Sequence, residues 1–352
     1  MFIPLLLLLL LPPLALPLSP SFLLLPPPTP PKALLHFLPG SFLSPSPALY
    51  KPFLEELAQR GYLVVATPYK TSTDYLGTAD SIISSFDALA PSLAASYGPL
   101  PVVGVGHSLG SVQQTILTSL FPSSAPRAGN VLLSWNSRSL KESIPLYEEL
   151  VRPFSSGLVT PRSPPLSSEK LRALDAFSSS ISSLSSLARL SLPSDSDLSL
   201  LRSALGPLGG KVPSPLPPAL RELAASASSP LRDALGKAGL LDRVDDAEGI
   251  LEQLPPIFEA VAGGQDFELS AGDLLRCVEG GYAARRTLVV QFEGDAIDQS
   301  DLLYEGITKA GRGGERDVSV ELRRVPGGHL ELLTDPKKVA GEVAAWLEKE
   351  FG

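Results

Sequence analysis

Apolar positions along this chain fall into two kinds of run. Residues 33–38, 62–66, 101–105, 130–135 and 287–292 are short, mostly apolar and rich in Leu and Val, and 318–325, with Val318, Val320, Leu322 and Val325, is the last run. Short runs of this kind predict strands buried on both sides. The stretches between them have helical spacing. Residues 49–60 set Phe53, Leu54 and Leu57 on one face, with Lys51 and acids between them, and Gly61 ends the run. Residues 73–97 are mostly helix-compatible, with Asp74 as a cap and Pro91 as an expected kink. Residues 111–120 follow the third strand and stop before Pro122. Residues 336–351 carry Val339, Val343, Trp346 and Leu347 on one face. Strands alternating with helices predict an α/β fold, a mostly parallel sheet covered by helices on both faces. Ligands of such sheets bind outside the carboxyl ends of the strands.

Two stretches break the alternation. Residues 1–31 contain no charged side chain, and residues 5–11 are all leucine. Prolines at 4, 12, 13 and 17 oppose a membrane-spanning helix. A short leucine-rich run suggests a cleaved targeting leader, although no basic residue precedes it. Ser19, Pro20 and Ser21 offer a cleavage site before Phe22. A leader cut before phenylalanine resembles the plastid-entry presequences of algae with complex plastids. The expected location is therefore the plastid, with the secretory pathway as the alternative. The second stretch, residues 137–286, is rich in Ser, Leu, Pro and Ala, with helical patches at 141–151, 168–190, 197–206, 218–236 and 246–262. It reads as a large helical cap inserted before the last two strands. The expected organisation is a leader over 1–31, a core over 32–136 and 287–352, and a cap over 137–286. An apolar cap excludes water and shapes a pocket for an apolar ligand. It also offers a peripheral membrane contact.

Composition narrows the chemistry. Hydrophobic residues make up 44% of 352 and charged residues 19%, enough for a packed core. The net charge is −8 and no basic patch stands out, which argues against nucleic acid as a partner. A single cysteine, Cys277, excludes an intramolecular disulfide and a cysteine-rich metal site. Only His36, His107 and His329 are available as imidazoles, and their contexts suit other roles than a metal cluster. No metal or cofactor is expected.

Residues 101–111 read PVVGVGHSLGS and organise the rest. A buried strand leads into Gly106-His107-Ser108-Leu109-Gly110, and a helix follows at once. Strand, sharp turn and helix form the context of the G-x-S-x-G nucleophile elbow. Ser108 is the candidate nucleophile. A serine hydroxyl needs a base to take its proton and an acid to orient that base. His329 is the one histidine after Ser108, and it follows the last strand in Pro326-Gly327-Gly328. The acid belongs after the preceding strand, where Asp295 and Asp298 both stand. Asp295 is preferred, and Asp298 is the alternative or a helix cap. The order Ser, Asp, His is that of the α/β-hydrolases. An oxyanion hole needs two backbone N–H groups. Leu109, next to the nucleophile, supplies one, and Leu38, after the first strand, is the candidate for the other.

Residues 36–41, HFLPGS, look like the H-G-x-P-G-S loop of α/β-hydrolases, with Phe37 in place of the first glycine. The chain resembles more closely a domain-of-unknown-function family of α/β-hydrolase-like proteins from cyanobacteria and plant plastids. The matching stretches are HFLPGSF (36–42), GYLVVATPY (61–69), GHSLGS (106–111), RAGNVLLSWNSRSLKESIPLYEEL (127–150), TLVVQFEGDAIDQSDLL (287–303) and PGGHLE (326–331). In that family a phenylalanine after the first histidine is usual. The resemblance implies a hydrolase fold and plastid or cyanobacterial residence, and it names no substrate. It also sets the strand end with Ser134, Trp135 and Asn136 toward the pocket. Phe37, His107 and Asn136 are thus further candidates for substrate contact.

Two readings follow. One is a serine hydrolase or acyltransferase acting on a small apolar ester, thioester or lipid. The other is a catalytically silent binding or scaffold protein on the same fold. The intact Ser108, His329 and acidic loop favour the first.

Overall fold

The computed structural model describes residues 22–41, 43–139, 142, 265–312 and 317–352. The leader before Phe22 and nearly all of the expected cap lie outside the described residues.

In chain order the elements are β1 (Leu23–Leu25), β2 (Leu34–Leu38), α1 (Lys51–Gln59), β3 (Leu63–Ala66), α2 (Tyr75–Tyr97), β4 (Val102–His107), α3 (Leu109–Leu120) and β5 (Gly129–Leu133). Then come α4 (Ala271–Gly281), β6 (Arg286–Phe292), α5 (Ser300–Arg312), β7 (Ser319–Val325), α6 (Glu331–Thr334) and α7 (Pro336–Phe351). The strands form one sheet in the order β1-β3-β2-β4-β5-β6-β7. All pairs are parallel except β1 with β3. β2 to β5 are buried almost throughout, as strands covered on both faces must be.

The helices divide between the two faces. α1 sets Phe53, Leu54, Leu57 and Ala58 inward, and α7 sets Val339, Val343, Trp346 and Leu347 inward, in one cluster with Phe37, Val105, Val131 and Val290 of the strands. On the other face Tyr75 and Ile82 of α2, Val112 and Ile116 of α3, Leu274 and Val278 of α4, and Leu303 and Ile307 of α5 pack on Leu132 and Val289. Caps fix the helix starts: Asp74 accepts from Gly77 N at 2.7 Å, and Asp335 accepts from Lys338 N at 3.2 Å.

Two boundaries differ from the sequence reading. Residues before 32 already belong to the core, because Leu23, Leu24 and Leu25 lie opposite Ala66, Val65 and Val64 of β3. An extended apolar tripeptide closes the otherwise open edge of β3, and Leu24 packs on the cluster of Leu34, Leu63, Val65 and Phe86. The core also resumes before residue 287, at α4. There Tyr282 is fully buried, its hydroxyl 2.8 Å from both Asn130 Nδ2 and Thr287 Oγ1. α4 therefore belongs to the helical layer of the sheet and not to a cap.

Candidate active site

The end of β4 carries the centre of the site. Ser108 has φ 54° and ψ −120°, a left-handed conformation that costs a non-glycine residue roughly 1–3 kcal/mol. Its neighbours hold it there. Ser108 N donates to Leu133 O at 2.9 Å, and Ser108 O accepts from Ser111 N at 2.9 Å as α3 begins. The two glycines of the motif meet a steric demand. A Cβ on Gly106 would stand 2.5 Å from the backbone of Gly110 and Ser111. A Cβ on Gly110 would overlap the Leu38 carbonyl and stand 2.6 Å from Pro39 O. The elbow thus lies directly against the loop leaving β2.

That loop is tied from both sides. Tyr69 Oη donates to Pro39 O at 2.6 Å, and Gly40 N donates to Tyr50 Oη at 3.1 Å. Leu38 ends β2, fully buried and in register with Gly106. Leu109 opens α3, so its amide is among those that a helix leaves without an internal partner.

The loop after β7 brings in His329, whose Nδ1 lies 2.7 Å from Asp295 Oδ2. Asp295 is in the loop after β6; its carboxyl is 1% exposed, and its Oδ1 accepts from Ile297 N at 3.1 Å. Burial pushes this carboxyl up, but the hydrogen bonds from His329, Ser134 and Ile297 outweigh it and hold Asp295 below the ordinary value. The acid and base loops are joined by Gly294 N donating to Gly327 O at 2.8 Å. Gly327 takes φ 144°, and a Cβ there would run into the Glu331 carboxylate.

Asp298 does not touch His329. Its carboxylate accepts from Ser300 N at 2.6 Å and Phe292 N at 3.4 Å, closing the entry to α5. Burial is the largest cause that raises its pKa to about 6. Of the two acids, Asp295 is thus the one set against His329.

Three of the other candidates are committed elsewhere. Phe37 is fully buried among Tyr50 and Phe53, so it belongs to the core and is not open to a substrate. His107 is 1% exposed, with Nδ1 2.8 Å from Tyr50 Oη and Nε2 2.8 Å from the His329 carbonyl. Both ring nitrogens are used, and burial lowers its pKa to about 3. The neutral ring donates from Nε2 to the carbonyl and accepts from Tyr50. Asn136 Oδ1 accepts from Arg138 N at 3.0 Å in a turn. His36 lies away from the site, in a buried group with Arg127 and Thr67.

The sequence reading missed Tyr50, and it set Ser134 at a pocket-facing strand end without giving it a partner. Tyr50 links the β2 loop to His107 and, through it, to the base loop. Ser134, just past β5, is fully buried at φ 51°. Its hydroxyl donates to Asp295 Oδ2 and lies 2.9 Å from His329 Nδ1. The signal available for it was a small polar residue at the carboxyl end of the strand beside the elbow strand. Among the described residues Ser108 Oγ makes no hydrogen bond to His329, whose ring centroid lies 5.0 Å from that of His107.

A six-stranded parallel array with an antiparallel edge, a strained serine between strand and helix, and an acid and a histidine on the next loops define the α/β-hydrolase fold. A family model described as a protein of unknown function (DUF1350) matches residues 18–173. No curated protein matches the sequence. Similar solved structures include MenH from S. aureus, 13% identical with a TM-score of 0.49, covering 95% of this chain and 100% of that one. The enol-lactonase from Burkholderia xenovorans LB400 is 11% identical with a TM-score of 0.48, covering 93% and 95%. The Pyrococcus furiosus esterase Pf2001 is 12% identical with a TM-score of 0.44, covering 92% and 82%.

Proposed function

We propose that the chain is a serine hydrolase, or a related acyltransferase, acting on an ester or thioester. Ser108 is the nucleophile, His329 the base and Asp295 the acid that orients it. Asp295 accepts a hydrogen bond from Nδ1–H of His329 and so leaves Nε2 to take the proton of Ser108 as Oγ attacks the carbonyl carbon. The amides of Leu109 and Leu38 stabilise the oxyanion. Collapse of the tetrahedral intermediate expels the alcohol or thiol, which takes the proton from His329, and leaves an acyl-serine. Water or another acceptor then releases the acyl group by the same steps reversed. The apolar composition of residues 137–286 favours an apolar acyl group.

The observation that carries this reading is the strained Ser108 on the rim that also holds the His329–Asp295 pair. A fluorophosphonate probe tests it, because only an activated serine reacts. Wild type labels, and Ser108→Ala does not. The unmade bond from Ser108 to His329 favours the second reading, a silent fold. Catalytic hydrogen bonds often tighten only when substrate is bound. Absence of labelling in the folded wild type decides for the silent fold.

A further inference from the structure

The sheet ends on β7, and no strand covers its outer side among the described residues. Ser319 N donates to Arg285 O at 2.9 Å, and Val325 O accepts from Glu293 N at 3.0 Å. Odd-numbered residues of β7 therefore turn their backbone groups toward β6, and Val320, Leu322 and Arg324 turn theirs outward. A groove of about 760 Å³ follows this edge, walled by Tyr304 and Glu305 of α5 on one side and Trp346 and Lys349 of α7 on the other. A row of outward donors and acceptors in a groove is a template for an added strand.

We propose that the occupant is a second copy of this chain, its β7 antiparallel to the first across a two-fold axis at Leu322. In that register Leu322 faces itself, and Val320 faces Arg324 of the second copy. All the outward N–H and C=O groups of the three residues then find partners. Glu321 faces Arg323 of the second copy, and Arg323 faces its Glu321. These pairs lie on the α7 side, where Arg323 already meets Glu342 at 3.2 Å and Glu321 meets Lys349 at 3.6 Å. Moving the axis by one residue sets Glu321 against Glu321 or Arg323 against Arg323, and like charges directly opposite destabilise a pair of strands. The charge order thus specifies one register with a second copy, which an unrelated peptide does not match.

The test is sedimentation velocity of the full chain over a range of concentrations, with thermal unfolding followed in parallel. The wild type is expected to dimerise. Glu321→Arg and Arg323→Glu each place like charges across the axis twice per dimer, and each weakens dimerisation by about tenfold or more. The double swap, Glu321→Arg with Arg323→Glu, restores it. Leu322→Pro removes an outward N–H, leaves the β6 ladder intact and abolishes the dimer. If that variant fails to fold, the charge swaps decide alone. A wild type that stays monomeric at all concentrations overturns the proposal, even if its edge captures an extended peptide. So does a dimer that no charge reversal weakens, which lies on another face.

Discussion

Replacing Ser134 separates its hydroxyl from its backbone. Asp295 Oδ2 is shared by the Ser134 hydroxyl and His329 Nδ1, and its carboxyl is almost wholly buried. Ser134→Ala removes one hydrogen bond to a buried charge, which is worth about 1.5–3 kcal/mol. The loss frees the imidazole to tilt away from Ser108. A misaligned base lowers the second-order rate of fluorophosphonate labelling by roughly 10- to 100-fold, or about 1.4–2.7 kcal/mol in the barrier. Ser134→Gly loses the same hydroxyl but suits φ 51° better than alanine does. The two variants should thus label equally slowly, with the glycine variant the more stable by about 0.5–1 kcal/mol. Acid unfolding adds an independent sign. Asp295 is held below its ordinary pKa in the folded chain, so its ionised form stabilises the fold above the unfolded value and that contribution is lost as pH falls. Without Ser134 the contribution shrinks, and the acid midpoint moves to higher pH. Full-rate labelling of Ser134→Ala, or recovery of the rate by glycine, would refute the argument.

Asp295→Asn should lower turnover or labelling by roughly a thousandfold, as loss of the correct histidine tautomer does; a larger loss in Asp298→Asn would transfer the role. Asp298, with its pKa raised to about 6, favours its neutral form in the fold. Its ionisation therefore weakens the fold as pH rises through 6, and Asp298→Asn should be as stable as wild type, or more so, in thermal melts at pH 8. Tyr50→Phe leaves the buried Nδ1 of His107 without its donor and should cost about 1–3 kcal/mol in denaturant unfolding. A chain beginning at Phe22 should keep the thermal midpoint of the full chain, whereas one beginning at Lys32 loses β1 and should melt several degrees lower, by roughly 5 °C. We also propose that residues before Phe22 carry plastid targeting; a fluorescent fusion of residues 1–31 that stays in the cytosol would refute this.

The inner sheet was legible because β2 to β6 are mostly apolar runs, and the helices between them have a single inward stripe. β1 was not. In a segment that is leucine and proline throughout, no periodicity separates Leu24, packed on Val65, from the leucines before it. α4 was hidden for another reason: it adjoins a long Ser-rich stretch, and only its packing on α3 and α5 assigns it to the core. Ser108, His329 and the acid loop were legible from chain order and loop position. The contact between Asp295 and His329, rather than Asp298 and His329, depends on where the turn after Phe292 points. Tyr50 was silent in sequence, and Ser134 was legible only as part of a pocket-facing strand end, because each acts across strands: Ser134 meets a carboxylate 161 residues away, and Tyr50 meets a histidine 57 away.

The chain Gly40–Tyr50–His107–His329 has a consequence for assembly. It joins the loop of β2, the end of β4 and the loop of β7 through groups that are nearly all buried. None of these segments can take its final place until the strands that carry the other two have docked. Among the described residues β7 pairs only with β6, and β6 reaches β4 only through β5. The base loop therefore closes on the elbow after the whole half-sheet is complete. If Ser108 is the nucleophile proposed above, the appearance of its reactivity during refolding would mark the final step of sheet closure.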